Sequence, residues 1–308
     1  MPRFPLDRRE HSEPASGRDV MEAVLGRDYD PYAHGMPINR PPFSDIFAGR
    51  EATLVFDDFE IKYKFKDATT LCWFLPGVGG GWQEEYYECY ESRAKNLYFL
   101  FHEKRLNAPP MARAFAIDLD NRQITMLTCI NGIEGYMTTD VEITAYFGSI
   151  DFGDGVKPSG TRHHYSTEMV SKAVLWRVNN WCLIHYYTSK NFFTNQVMIG
   201  QDGLVASEPA RHVKLRDNVF LFHWVEMTGP GGMGTDIMDF NTYTGVGMFY
   251  GVGGKGRVCN GFQREAGKLL TIDDLLKFEH VFETEGERAA VAAMGVDLND
   301  ITTKLIHI

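Results

Sequence analysis

The stretch Glu60-Ile61-Lys62-Tyr63-Lys64-Phe65-Lys66 alternates charged with apolar residues at a period of two, which suits a strand with one wet and one dry face. Ile61, Tyr63 and Phe65 then share the buried face. Similar segments follow at about 69–75, 85–92, 96–104, 111–119 and 122–130, parted by turn residues such as Asp57-Asp58, Pro76-Gly77, Ala108-Pro109-Pro110 and Asp120-Asn121. They predict an antiparallel meander. A second run of strands is predicted at about 172–179, 182–188, 192–199, 211–215, 218–227, 234–240 and 243–250. Its parts lie over those of the first at a near-constant offset. Asn96 to Phe101 fall over Asn218 to His223 (218 − 96 = 122), and Ile117 to Asp120 fall over Met238 to Asn241 (238 − 117 = 121). A constant offset argues for internal duplication, with chance pairing of apolar strands as the plainer alternative. A meander of about six to eight strands must bury one face and hide its edges. Closure achieves both, so a mainly all-β chain of two tandem antiparallel barrels is expected.

The expected organisation is an N-terminal arm over 1–48, a first barrel over 49–131, a glycine-rich linker over 132–164, a second barrel over 165–270 and a helical tail over 271–308. The tail opens on Thr271-Ile272-Asp273-Asp274, a capped helix entry followed by Leu275, Leu276, Phe278 and Phe282. A net charge of −10 repels phosphate backbones and anionic lipid, so nucleic acid and membrane are not expected partners. Cys72, Cys89, Cys129, Cys182 and Cys259 are scattered, with neither disulfide nor zinc spacing. The N-terminal residues carry charge and proline where a signal peptide needs an apolar core. A cytoplasmic protein is expected.

Applying the offset to the first strand places Leu183, His185 and Tyr187 over Ile61, Tyr63 and Phe65, and so inside the second barrel. In the strand from Phe220 to Glu226, the residues Phe222, Trp224 and Glu226 share one face. If that face is interior, desolvation raises the Glu226 pKa and suits it to proton transfer; a strand-end carboxylate in water is the alternative. Asp236 is a mid-strand acid, interior or solvent-facing. His163 and His164 precede the second barrel and either line its mouth or occupy a surface loop. In the first barrel, Trp73 and Tyr86 are aromatic candidates for a ligand wall or for plain core.

Gly251-Val252-Gly253-Gly254-Lys255-Gly256 matches a dinucleotide fingerprint literally, but Arg257-Val258-Cys259-Asn260-Gly261 after it is no helix. It reads as a hairpin turn. No HExxH, GxSxG or Cys/His ligand spacing occurs, so neither a metal nor a cofactor is expected.

Phe220 to Met227, then Gly234-Thr235-Asp236-Ile237-Met238-Asp239-Phe240 and Thr244-Gly245-Val246-Gly247, resemble the C-terminal half of the molybdenum cofactor biosynthesis protein F (MoaF) family. Tyr63-Lys64-Phe65, Leu71-Cys72-Trp73, Glu85-Tyr86, Tyr98-Phe99 and Ala116-Ile117-Asp118-Leu119 are similar to its N-terminal half. The resemblance spans about Glu51 to Gly267 and implies two lipocalin-like barrels. One family stretch departs here, where Ala206-Ser207-Glu208 lacks the acid directly after alanine. Another lipocalin-like family, the phenolic acid decarboxylases, runs metal-free acid/base chemistry with tyrosines and a glutamate, a fold-level analogy.

The expected function is cofactor-free acid/base chemistry, as in a lyase, decarboxylase, hydratase or isomerase, on a small aromatic or partly apolar substrate inside a barrel. Glu226 would be the acid or base, His185 its partner and Tyr187 an oxyanion donor. Trp224, Phe222, Asp236, His163, His164, Trp73 and Tyr86 are candidate substrate-binding residues. The alternative is a small-molecule carrier or sensor. A third reading is a structural subunit whose arm exchanges between copies in a homodimer.

Overall fold

The computed structural model describes residues 42–77, 81–104, 111–131, 141–178, 181–199, 205–226, 232–252 and 258–269. Most of the expected arm and the expected helical tail lie outside the described residues. The described chain is all β. The first eight strands are β1 (Glu51–Val55), β2 (Glu60–Phe65), β3 (Thr70–Phe74), β4 (Gln83–Glu91), β5 (Leu97–Lys104), β6 (Met111–Asp118), β7 (Gln123–Asn131) and β8 (Val141–Asp151). They form a closed barrel of sequential antiparallel neighbours. β9 (His164–Ser166) precedes a second set: β10 (Ala173–Val178), β11 (Trp181–Tyr186), β12 (Phe192–Ile199), β13 (Val205–Arg216), β14 (Val219–Glu226), β15 (Gly232–Asp239), β16 (Thr244–Val252) and β17 (Val258–Leu269). This sheet runs from β12 through β10 and β17 to β13, and pairing of β12 with β13 returns it on itself. β9 lies along the remainder of the β13 edge.

Two elements depart from the expected boundaries. The stretch expected to be a linker holds β8, which pairs with β1 through Leu54 opposite Ile150 and so closes the first barrel. Glycines around it mask the alternation of Val141, Ile143, Ala145 and Phe147. β17 is a strand that the sequence does not announce, because Cys259 to Gly267 contains few apolar residues. The literal dinucleotide motif begins at the end of β16, whose Gly251 and Val252 pair antiparallel with Cys259 and Val258 of β17.

The two halves correspond element by element. β1 and β10 start 173 − 51 = 122 residues apart, and β7 and β16 start 244 − 123 = 121 apart. The turns correspond as well. Gly49 (φ 75) donates its N–H to the Phe65 carbonyl at 2.8 Å, and Ser171 (φ 68) donates to that of Tyr187 at 2.8 Å. Asn96 (φ 56) and Asn218 (φ 58) accept from Leu119 and Phe240 through their carbonyls. Phe47 and Met169, again 122 apart, enter the two interiors from these turns and close one end of each barrel.

Three cores result. One fills the first barrel around Phe47, Phe65, Leu71, Tyr87, Phe115 and Ile124. A second fills the other barrel around Trp176, Tyr187, Phe193, Phe220, Phe222 and Met238. The third lies between the barrels, where Leu97, Phe99, Phe101, Ala112, Ala114 and Ala116 meet Val213, Leu221, Met233, Ile237, Val246 and Met248. β5, β6, β14 and β15 are therefore buried on both faces, which explains why they read as continuous apolar runs.

Inside the second barrel, the Trp224 indole lies flat over Gly234, and a Cβ there would sit 1.9 Å from the ring. Gly234→Ala is expected to destabilise the protein by about 1–3 kcal/mol, because the indole must leave its place. A lower unfolding midpoint with a changed tryptophan emission is the expected result; unchanged values would show that the indole repacks freely.

Candidate functional site

Within each barrel the connections alternate between two ends. In the first barrel, the closed end carries the turns 66–69, 92–96 and 119–122, and the other end carries the connections 75–82, 105–110 and 132–140. Apolar side chains fill the closed half. The half beneath the longer connections holds the polar ones: Tyr63 from β2, Glu85 from β4, His102 from β5 and Arg113 from β6, each 5% exposed or less.

These four side chains form a continuous chain. His102 Nδ1 lies 2.5 Å from Glu85 Oε2, and His102 Nε2 lies 3.0 Å from the Tyr63 hydroxyl. An ionised carboxylate can only accept, so Nδ1 donates to it, and when the ring is neutral Nε2 accepts the Tyr63 O–H. Arg113 Nη1 donates to the same hydroxyl at 3.4 Å, and its guanidinium sits 4.4 Å over the Trp73 ring. Phe115 stacks on the imidazole with 5.7 Å between ring centroids. Burial pushes the Tyr63 pKa up to about 12, with Arg113 opposing the rise, so the hydroxyl holds its proton at neutral pH. Arg113 Nε is buried and has no hydrogen-bond acceptor among the described residues. A buried guanidinium with an unused donor is costly, and an anionic ligand oxygen would offset that cost.

The second interior differs. His185 packs against Phe193 at 4.8 Å and Phe222 at 5.7 Å between centroids, and His212 stacks on Phe222 at 4.7 Å. Burial drives both pKa values down to about 3, so both rings are neutral. Tyr187 lies deeper. Its hydroxyl accepts from Trp176 Nε1 at 3.2 Å and donates to Met238 Sδ at 3.4 Å.

The expected residues fall into three groups. Leu183, His185 and Tyr187 face the second interior, as the offset requires, together with Phe222 and Trp224, whose rings stack at 5.1 Å. Asp236 is fully buried opposite Phe222, so the solvent-facing alternative is excluded. Trp73 lies in the first interior. Glu226 is half-buried at the strand end, accepts from Trp224 Nε1 at 3.5 Å and makes no hydrogen bond to His185. The expected Glu226–His185 pair therefore does not assemble.

The remaining candidates lie outside both interiors. Tyr86 is on the outer face of β4, bonded to Glu88 Oε1 at 2.7 Å. His163 is buried beside the first barrel, with Nδ1 2.9 Å from Thr125 Oγ1, and exposed His164 engages the Arg162 carbonyl at 2.9 Å. Neither lines a barrel interior.

Glu85, His102 and Arg113 are not among the residues expected from the sequence, and for Tyr63 the alternation gives an inward face and nothing more. The repeat carries a signal for one of them: the 122 offset run backwards from Trp224 lands on His102. No group of three or more potential metal ligands occurs among the described residues. No described helix is long and apolar enough to cross a membrane.

Residues 163–271 match the family model described as the MoaF C-terminal domain. No curated protein matches the chain.

Proposed function

We propose that this chain, whose residues 163–271 match the MoaF C-terminal domain model, is an enzyme of cofactor-free proton transfer, with its chemistry in the first barrel. The observation that carries this reading is the unbroken series Glu85–His102–Tyr63 ending beside the unused Arg113 donor. Arg113 would anchor an anionic oxygen of a small aromatic or partly apolar acid, with Trp73 and Phe115 as walls. Tyr63 would exchange a proton with the substrate. His102 would take up or return that proton through Nε2, while the Glu85 carboxylate stabilises the imidazolium and holds the ring. A lyase, decarboxylase or isomerase step fits this arrangement. Internal duplication accounts for the corresponding halves, and the free thiols Cys72, Cys89 and Cys129 suit a reducing cytoplasm.

Incubation with a panel of aromatic carboxylic acids in D2O, followed by NMR, reads proton transfer whatever the product is. Turnover or exchange at one substrate carbon is expected. Tyr63→Phe should lower it on the order of 100-fold or more while leaving circular dichroism unchanged. Saturable binding that needs Arg113, with no exchange for any acid, would favour the carrier. Exchange undiminished in Tyr63→Phe would remove this tyrosine from the chemistry.

A further inference from the structure

We infer that the second barrel is a separate binding site, for an uncharged aromatic molecule that carries O–H or N–H donors. Three polar atoms in its interior are buried and have no hydrogen-bond partner among the described residues: His185 Nδ1, His212 Nε2 and Asn195 Oδ1. His185 and His212 are only 4% and 5% exposed. Both flank the same two rings, with centroids 6.0 and 4.5 Å from Tyr187 and 5.7 and 4.7 Å from Phe222. Each orphaned atom costs free energy that a ligand making the missing bond would recover.

The chemistry of that ligand follows from the side chains around these atoms. Phe193, Phe222 and Trp224 supply flat apolar walls. The amide oxygen of Asn195 needs a donor, and a neutral imidazole offers one donor and one acceptor. Among the described side chains of this barrel no lysine or arginine is buried, whereas Glu208 and Asp236 are fully buried in it. These described side chains suit an uncharged ring better than an anion.

The corresponding positions show how the two interiors diverged. Tyr63 is replaced by His185, and His102 by Trp224. Arg113 corresponds to Gly234 (234 − 113 = 121), and the Trp224 indole covers that glycine. The anion anchor of the first barrel is thus an aromatic wall in the second.

Titration of the full chain, labelled with 15N-histidine, with resorcinol, benzoate and toluene tests this directly. Resorcinol should shift the ring nitrogens of His185 and His212 saturably. Benzoate should leave both unmoved, and toluene should bind more weakly than resorcinol by roughly tenfold for each missing hydrogen bond. His185→Phe should weaken resorcinol by roughly tenfold and toluene by less. Arg113→Met should change neither, which keeps this result independent of the first barrel's activity. Absence of any histidine shift with resorcinol, or equal shifts with benzoate, would overturn the inference, and the wild-type spectra report this even if the variant fails to fold.

Discussion

Lowering the pH from 7 to 5 is expected to unfold the second barrel in a cooperative transition. Four histidines, in it or at its joint with the first, are held neutral by burial: His163 and His223 with pKa values down to about 4, and His185 and His212 down to about 3. Arg211 adds to the depression of His223. His223, His185 and Lys172 add to that of His212, while Asp118 partly offsets that of His163. In the unfolded chain each returns to about 6.5. Below that pH the unfolded chain binds protons that the folded chain refuses, so stability falls as pH falls, until the folded values are reached. At pH 5 each histidine costs about 2 kcal/mol, and the four together about 8 kcal/mol. That equals much of a typical stability of about 5–15 kcal/mol. A pH titration followed by near-ultraviolet circular dichroism should show the loss. His212→Phe keeps the stack on Phe222 and removes one proton-binding group, so its midpoint should lie about half a pH unit lower. A native signal that persists unchanged to pH 4 would contradict this account.

Arg216→Ala should loosen the joint between the barrels. From the end of β13, Arg216 reaches into the first half. Nε donates to Asp118 Oδ2 at 2.8 Å and Nη2 to Oδ1 at 2.6 Å, while Nη1 donates to the carbonyls of Ala94 and Lys95 at 3.0 and 3.1 Å. Asp118 is fully buried. Burial pushes its pKa up, but the bonds from Arg216 and Asn121 outweigh this and hold it below the usual carboxylate range. Removing the guanidinium leaves that carboxylate with Asn121 alone, at an expected cost of about 3–5 kcal/mol by denaturant unfolding. Asp118→Asn in the same background should restore part of the loss, and the double-mutant cycle should give a coupling of about 1–3 kcal/mol. Additive effects would mean that the pair contributes no mutual energy. Arg93 occupies the position corresponding to Arg216 (216 − 93 = 123) and lines a crevice with Asp239, so the joint has a second, related corner.

The contrast between the two halves shows how far the chain can be read from its residues. The alternation over Glu60 to Lys66 identifies a half-buried strand, and one offset carries its orientation to His185 and Tyr187, both of which face inward. The same reasoning misses β8 among glycines and β17 among polar residues, because both strands have only weak period-two patterning. For the site, Glu226 stands out in the sequence for its place beside Trp224. The strand end puts it at the rim, away from His185.

Periodicity and offset by themselves determined two tandem barrels, since an alternating strand must hide one face and a closed sheet hides its edges. Which residues of the doubly buried strands point inward was decided only by the docking of one barrel on the other. In β5, Leu97, Phe99 and Phe101 are as apolar as the opposite face, so composition cannot tell the barrel interior from the joint. The tertiary structure assigned His102 and Arg113 to the interior and His223 to the joint side. That assignment brought Glu85, His102, Tyr63 and Arg113 together from four strands that carry no shared local motif.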